Sequence, residues 1–473
     1  MKRLSVHFFV LSLIFLLSAC SSIDEKIEKG QYQMAVKQIN KAIGSGELTA
    51  LERIELEEKA DILHRIELDF NKSREDVLDY IKNYYPELSD AQMRSWEESN
   101  ALENMIINGE KRYFARSHAN LFRIDKAAKA KKIEKDGEQK SNTESFLEHY
   151  IPEVLDKAQK TGEILGDPVK MKFKYTLTVD ADAVPEGEII RCWLPFPREG
   201  DPRQQDVKLL FASQDDYILA PNSQAHRTVY MQKPAVAGEE SKFEIEFSTT
   251  NRPRWVDLEN AEIKAYNKSN EEYKKYTAER DPHLLFTPSV KALSEKIVGD
   301  EKDPYQIAKK IFNYISDNYP WAGAREYSTL ENIPDYVIAN HHGDCGQVTL
   351  LFMVLCRYNG IPARWESGWM LHPGSKNLHD WGLVYFEGPG WVSVDQSFGR
   401  QELEGKNAKE FYLGGIDAYR LIVNDDYGRV LYPAKQFLRS ETVDFQRGEV
   451  EWRGGNLYFN KWDYHLDIEY INQ

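Results

Sequence analysis

The strongest constraint on the fold is the stretch His341–Phe398, in which a helix-forming segment precedes two strand-forming segments. After Cys345 the sequence GQVTLLFMVLCRYNG has apolar residues at helical spacing, and Asn359-Gly360 is typical of a helix end. Cys345 is therefore predicted to lie at the N-terminus of a buried helix. At that position the helix dipole and the free N–H groups favour a thiolate and can hold an oxyanion.

The second half of this stretch predicts a β-hairpin. The segment HDWGLVYF begins at His379, GPG is a turn signal, and WVSVD ends at Asp395. Because a hairpin brings the start of its first strand beside the end of its second, His379 and Asp395 are predicted to be neighbours. Cys345, His379 and Asp395 are thus candidate catalytic residues: a nucleophile, a base, and a carboxylate that orients the base.

Taken together, these motifs resemble the transglutaminase-like superfamily. The resemblance rests on G-D-C, a helix, GIPAR, H-x-W, a strand and W-x-x-V-D, and it covers about residues 341–398. It implies a papain-like α+β core with Cys345 as nucleophile, His379 as base and Asp395 as third member. One departure is Asp380, between His379 and Trp381, where a small residue is commoner; we expect it to be tolerated.

The resemblance also implies an oxyanion donor upstream of the nucleophile, commonly an aromatic or amide side chain. Trp321 and Tyr327 precede the nucleophile, and Trp381 belongs to the H-x-W motif. These three residues are candidates for the oxyanion hole or the substrate groove. For Trp321 and Tyr327, the alternative interpretation is a groove or packing aromatic.

Metal and cofactor sites have no clear signature in this sequence. His341, His342, Asp344 and Cys345 are close together, but their spacing matches no zinc pattern. We find neither an EF-hand-like acidic loop nor a P-loop. We therefore predict neither a metal nor a cofactor.

Residues 1–20 have the features of a secretory signal. Lys2-Arg3 precedes the mostly apolar segment Leu4–Leu17, and Ser18-Ala19-Cys20 resembles a bacterial lipoprotein box. That resemblance predicts lipidation of Cys20 and a stable membrane anchor. Ser21, in place of aspartate, then favours the outer membrane of a Gram-negative cell, facing either the periplasm or the surface. The alternative is an ordinary signal peptide in which Cys20 is incidental.

Changes in hydrophobic period divide the remaining chain into four regions. Residues 21–165 read as a helical N-terminal region, and residues 166–254 contain alternating strands such as MKFKYTLTV, typical of a β-sandwich-like domain. Residues 255–420 are predicted to form the transglutaminase-like core. Residues 421–473 are predicted to form a C-terminal β extension, with strands that include 430–433 and 442–445.

Charge and cysteine content narrow the class of function. The net charge of −15, with no basic block, argues against a nucleic-acid partner. Apart from Cys20, the three cysteines Cys192, Cys345 and Cys356 suggest no disulfide framework. We expect a membrane-anchored thiol hydrolase, a peptidase or amidase, acting on peptides, proteins or cell-wall peptides. The alternatives are a protein cross-linking transglutaminase and a catalytically silent lipoprotein that binds peptide or glycan.

Overall fold

A computed structural model describes residues 22–471, which fall into two compact units. The first comprises residues 22–138 and 323–329, and the second comprises 139–322 and 330–471. The mixture of helices and sheets confirms the predicted α+β class. The predicted signal peptide and Cys20 lie outside the described residues. Within residues 22–471, no helix is both long enough and apolar enough to cross a membrane.

The first unit is mainly helical, as the 3.6-residue periodicity of its sequence indicates. After a first helical segment at 22–28, its helices are Tyr32–Gly44, Ala50–Asp69, Arg74–Ile81, Asp90–Glu98, Ser117–Ile124 and Lys126–Asp136. Strands Asn104–Ile107 and Glu110–Tyr113 form a hairpin that the sequence did not predict. Thr49 starts the longest helix with a capping box to Glu52, which fixes where that helix begins.

The second unit contains the candidate catalytic residues. Its helices are Asn142–Thr161, Glu271–Thr277, Pro288–Val298, Pro304–Asn318, Ile333–Asn340, Cys345–Tyr358 and Lys406–Lys409. Its core sheet is antiparallel and has the strand order Gly390–Val394, Ser375–Phe386, Ala363–His372, Arg420–Asn424. The first two of these strands are the predicted hairpin, which is confirmed. Since the fourth strand belongs to the same sheet, the core extends to Asn424, past the predicted boundary at residue 420.

The rest of the second unit is a pair of sheets with a common hydrophobic core. One sheet has the order Trp462–Ile471, Val169–Val179, Ser241–Asn251, Gln204–Ala212. The other has the order Gly455–Leu457, Glu449–Trp452, Ile189–Pro195, Thr228–Pro234, Ile218–Leu219. A further small ladder joins Gly415–Ile416 to Arg254–Trp255. The strands at the C-terminal end therefore complete the sandwich instead of extending the core sheet.

Two strands predicted within the C-terminal region are absent from the described structure, which is irregular at residues 430–433 and 442–445. Pro433 has no N–H to give to a ladder. Farther along, a side chain takes the place of a strand partner: the Glu441 carboxylate accepts the N–H of Val443 at 2.9 Å. Just before this segment, the buried Glu449 carboxylate accepts the N–H groups of Ser440 and Glu441. Polar side chains thus accept backbone N–H groups in a region where the local apolar pattern predicted a strand.

Candidate active site

The helix Cys345–Tyr358 begins at Cys345, as predicted. Asp344 is its N-cap: the carboxylate accepts the N–H of Gln347 at 3.1 Å, and the Gln347 amide oxygen accepts the N–H of Asp344 at 3.2 Å. This reciprocal cap leaves the N–H groups of Cys345 and Gly346 at the helix end, where helix geometry gives them no intrahelical acceptor. They are the nearest backbone donors for an oxyanion formed at the thiol.

The three candidate aromatic residues have different surroundings. Trp321 forms a parallel backbone bridge with Gly343, two residues before the nucleophile, and its side chain is 36% exposed. Trp381 is fully buried, and its indole N–H donates to Glu366 at 2.8 Å, which argues against a role as oxyanion donor. Tyr327 is buried and belongs to the first unit. Of the three, Trp321 is the one whose backbone pairs with the segment just before Cys345.

His379 and Asp395 are hydrogen-bonded, with Nε2 of the imidazole 2.7 Å from Oδ2 of the carboxylate. The other carboxylate oxygen accepts the N–H of Phe398 at 3.1 Å. Burial lowers the pKa of His379, although Asp395 opposes this shift. Burial alone would raise the pKa of Asp395, but His379 and Arg420 outweigh it and lower that pKa. Asp395 is therefore held as a carboxylate that can support an imidazolium.

A buried ion network behind Asp395 was not predicted from the sequence. Arg420 donates to Asp395 Oδ2 through Nε at 3.2 Å and Nη2 at 3.0 Å, and its Nη1 lies 3.0 Å from Asp417 Oδ2. His372 ends a core strand and lies 3.3 Å from Asp417. Burial would lower the pKa of Arg420, yet Asp417 and Asp395 raise it above its usual range. Arg420 and His379 contact the same carboxylate oxygen, and together with the N–H of Phe398 they fix the orientation of Asp395.

The thiol of Cys345 has a different partner from the one the sequence suggested. Among the described residues its hydrogen bond goes to Asp380 Oδ2, at 3.3 Å, and not to His379. Burial raises the pKa of Cys345 well above its usual range, and Asp380 and Asp344 raise it further. This direction is opposite to the one expected from the helix N-terminus, which was predicted to favour a thiolate. Asp380, expected only to be tolerated, is thus in direct contact with the nucleophile.

Glu366, the partner of the Trp381 indole, makes the stability of the fold depend on pH. Burial raises the pKa of Glu366 from 4.5 to about 7, and Asp201 contributes to the rise. The folded-state pKa of Glu366 lies above the unfolded value, so the protonated carboxyl group stabilises the folded chain. That stabilisation is complete below about pH 4.5 and is lost as pH rises through 7. Between pH 5 and pH 8 the free energy of unfolding of the native chain should therefore fall by about 1–3 kcal/mol more than that of the Glu366→Gln variant.

Urea unfolding of the native chain and the Glu366→Gln variant at both pH values measures this difference. The amide keeps an oxygen for the Trp381 indole, so packing is matched. Equal pH dependence in the two proteins would show that Glu366 does not change its protonation on unfolding.

Comparison with known proteins agrees with this arrangement of helix and hairpin. Residues 291–396 match the family model of the transglutaminase-like superfamily. The uncharacterized protein YebA of Bacillus subtilis (strain 168) is 27% identical over 128 residues, which are 23% of this chain and 17% of YebA. The chain thus spans less than a fifth of that relative.

Two solved structures are also similar, each at 14% identity. A candidate cysteine protease from Cytophaga hutchinsonii has a TM-score of 0.43, with 65% of this chain and 93% of that chain covered. The periplasmic domain of TgpA from Pseudomonas aeruginosa has a TM-score of 0.27, with 52% and 91% covered. Likenesses this distant carry no argument about activity, so the assignment rests on the family match. Residues 291–396, which include Cys345, His379 and Asp395, form a transglutaminase-like domain.

Proposed function

We propose that this chain is a thiol hydrolase, a peptidase or amidase, in which Cys345 is the nucleophile, His379 the base and Asp395 the orienting carboxylate. The observation that carries the proposal is the 2.7 Å hydrogen bond between His379 and Asp395, in the same domain as a cysteine at a helix N-terminus. A base with an ionised carboxylate behind it and a thiol beside free N–H groups are the parts that acyl transfer needs.

The reaction starts when the thiol turns towards His379 and its proton passes from Sγ to the imidazole. The thiolate attacks the substrate carbonyl carbon, and the N–H groups of Cys345 and Gly346 stabilise the oxyanion. The imidazolium, supported by Asp395, returns its proton to the leaving amine, so that a thioester and a free amine result. A water molecule, deprotonated by His379, then attacks the thioester and releases the acid and the restored thiol.

The proposal places the enzyme on the cell envelope, anchored through a lipid on Cys20. It is supported by Lys2-Arg3, the apolar segment Leu4–Leu17 and the box Ser18-Ala19-Cys20. Peptides, proteins and cell-wall peptides are the carbonyl substrates proposed for such a location.

An activated ester tests the proposed nucleophile without knowledge of the natural substrate. The full chain is treated with p-nitrophenyl acetate, and acetylated residues are located by mass spectrometry. We expect a burst of p-nitrophenolate and acetylation of Cys345, both absent in Cys345→Ala. The fully buried Cys192 and Cys356 serve as internal controls and should stay unmodified. A native chain that forms no acyl-Cys345 would contradict the proposal and favour the silent, ligand-binding alternative.

The same acyl-enzyme distinguishes hydrolysis from cross-linking. A hydrolase should lose the acetyl group to water at a rate that added putrescine changes little. A transglutaminase should transfer it to putrescine, with N-acetylputrescine as the main product. That product would replace the hydrolase assignment with the transglutaminase alternative while leaving Cys345 as the nucleophile.

A further inference from the structure

The carboxyl group of Asp380 lies between the thiol and the C-terminal segment of the second unit. Its Oδ2 accepts the Cys345 thiol hydrogen at 3.3 Å, and its Oδ1 accepts the Gln446 amide N–H at 2.7 Å. The same Gln446 amide donates to the backbone oxygen of His379 at 2.8 Å. Asp444 adds a carboxyl–carboxyl hydrogen bond to Asp380. All of these partners except the thiol are at least 95% buried, so Asp380 is held firmly in place.

We propose that Asp380 is a positioning residue that holds the Cys345 thiol in a protonated resting orientation, from which the thiol must turn to His379 before it can react. This inference rests on the proposed role of Cys345 as nucleophile. A thiol has one hydrogen, so a bond to Asp380 excludes a bond to His379 at the same moment. Asp444 and Gln446, the two residues that bond to the Asp380 carboxyl group from later in the chain, lie beyond the family match that ends at residue 396.

The thiol needs a movement to exchange partners. His379 and Asp380 are neighbours on one strand, so their side chains leave it on opposite faces. Pairing with the next strand ends at Gly382–Val394, so that strand does not cover the edge beside His379 and Asp380. The movement that the exchange requires is a rotation about the Cα–Cβ bond of Cys345, which carries Sγ from one staggered position to another.

The charges around Asp380 make the resting state depend on pH. Asp344, Asp444 and Glu441 face Asp380 as well as the thiol itself, and Arg439 and Arg447 lie beyond Asp444. Burial raises the pKa of Asp380 to about 7, and Asp344 raises it further. Above pH 7 the ionised carboxylate retains the thiol hydrogen and opposes a second negative charge on sulfur. Below pH 7 the carboxyl is protonated and no longer opposes the thiolate.

Alkylation of the native full chain measures this coupling directly. The rate of iodoacetamide addition to Cys345, followed by mass spectrometry from pH 5.5 to pH 10, should rise tenfold per pH unit up to about pH 7. It should then flatten, because each further proton comes from Asp380 and not from the thiol. A single smooth titration with no shoulder near pH 7 in the native protein would overturn the inference, and this measurement requires no variant.

Two substitutions sharpen the test. Asp380→Asn and Asp380→Ala should each make alkylation of Cys345 at pH 9 at least ten times faster, which corresponds to a fall of about one unit in the thiol pKa. The alanine variant carries the small residue that is commoner at this position in the superfamily. The advantage should vanish below pH 6, where the native carboxyl is already protonated. A purely structural role would not give a difference that depends on pH. Glu387→Gln, which removes a carboxylate just beyond the same strand, should leave the profile unchanged.

The reaction rates of the variants distinguish three roles for Asp380. Variants that react at the native rate at pH 9 would show that Asp380 does not restrain the thiol. Variants that react more slowly at every pH would show that Asp380 is a base for the thiol, which also overturns the inference. Failure of the proposed function is a separate result, namely an alkylated Cys345 that never forms an acyl-enzyme.

Discussion

Replacing His379 with alanine should lower the rate of acylation of Cys345 by about 10²- to 10⁴-fold, the usual contribution of a general base. The imidazole is held by Asp395 at 2.7 Å, and in the proposed reaction it takes the thiol proton. Without it, the raised pKa of Cys345 leaves very little thiolate at neutral pH. The measurement is the rate of p-nitrophenolate release in a single turnover, with acetyl-Cys345 quantified by mass spectrometry.

A matched control is available on the last strand of the chain. His465→Ala removes an exposed histidine that pairs with Asp467 at 2.9 Å, and it should leave acylation unchanged. A His379→Ala rate within tenfold of the native value would contradict the role of His379. If the Asp380→Asn rate fell sharply in the same assay, Asp380 would be the base in its place.

Replacing Arg420 with methionine should lower the free energy of unfolding by about 3–5 kcal/mol, the cost of breaking a buried ion pair. Arg420, Asp395 and Asp417 are all fully buried, and the guanidinium is the cation that both carboxylates contact. Methionine fills similar volume but leaves two carboxylates without that cation. Urea unfolding followed by far-ultraviolet circular dichroism gives the change in stability.

The control for this substitution is a partly exposed arginine in the same unit. Arg400→Met removes a partly exposed pair with Asp317, and such pairs contribute about 0–1 kcal/mol. The Arg420→Met chain should also acylate more slowly, because Asp395 loses a group that holds its carboxylate in place beside His379. A loss of stability no greater than that of Arg400→Met would show that Asp395 and Asp417 are stabilised by other groups.

The parts of the site that the sequence predicts are those built by local structure. Helical periodicity gives the helix and its start at Cys345, and a turn between two short strands brings His379 and Asp395 together although they are 16 residues apart. Both patterns span fewer than twenty residues. Within such a span, periodicity and turn residues determine which side chains become neighbours.

The partners of these residues come from distant segments that no local pattern connects to them. Gln446 is 66 residues from Asp380, and Arg420 is 25 residues from Asp395. The signal for the ion network in the sequence is a pair of opposite charges, Asp417 and Arg420, just before the apolar segment 421–423. A buried strand with charged residues at its edge indicates an internal ion pair, but it does not identify the partner.

The aromatic candidates show another limit of motif reasoning. The H-x-W motif places Trp381 beside His379, and the two rings do stack, with centroids 5.9 Å apart. The motif does not show that the indole N–H is already bonded to Glu366 on the adjacent strand. That pairing depends on strand register, which the order of residues within one strand leaves open.

The surroundings of the thiol also depend on segments that come late in the chain. Strand Val169–Val179 has Trp462–Ile471 as one of its two neighbours, and the paired residues Lys170 and Ile471 are 301 positions apart. Until residues 462–471 have been synthesised and have paired, that strand keeps an open edge, and closing so long a loop is slow. Asp444 and Gln446, which hold Asp380, also come late in the chain. A nascent or truncated chain that lacks them would therefore carry Cys345 without the contacts that fix Asp380.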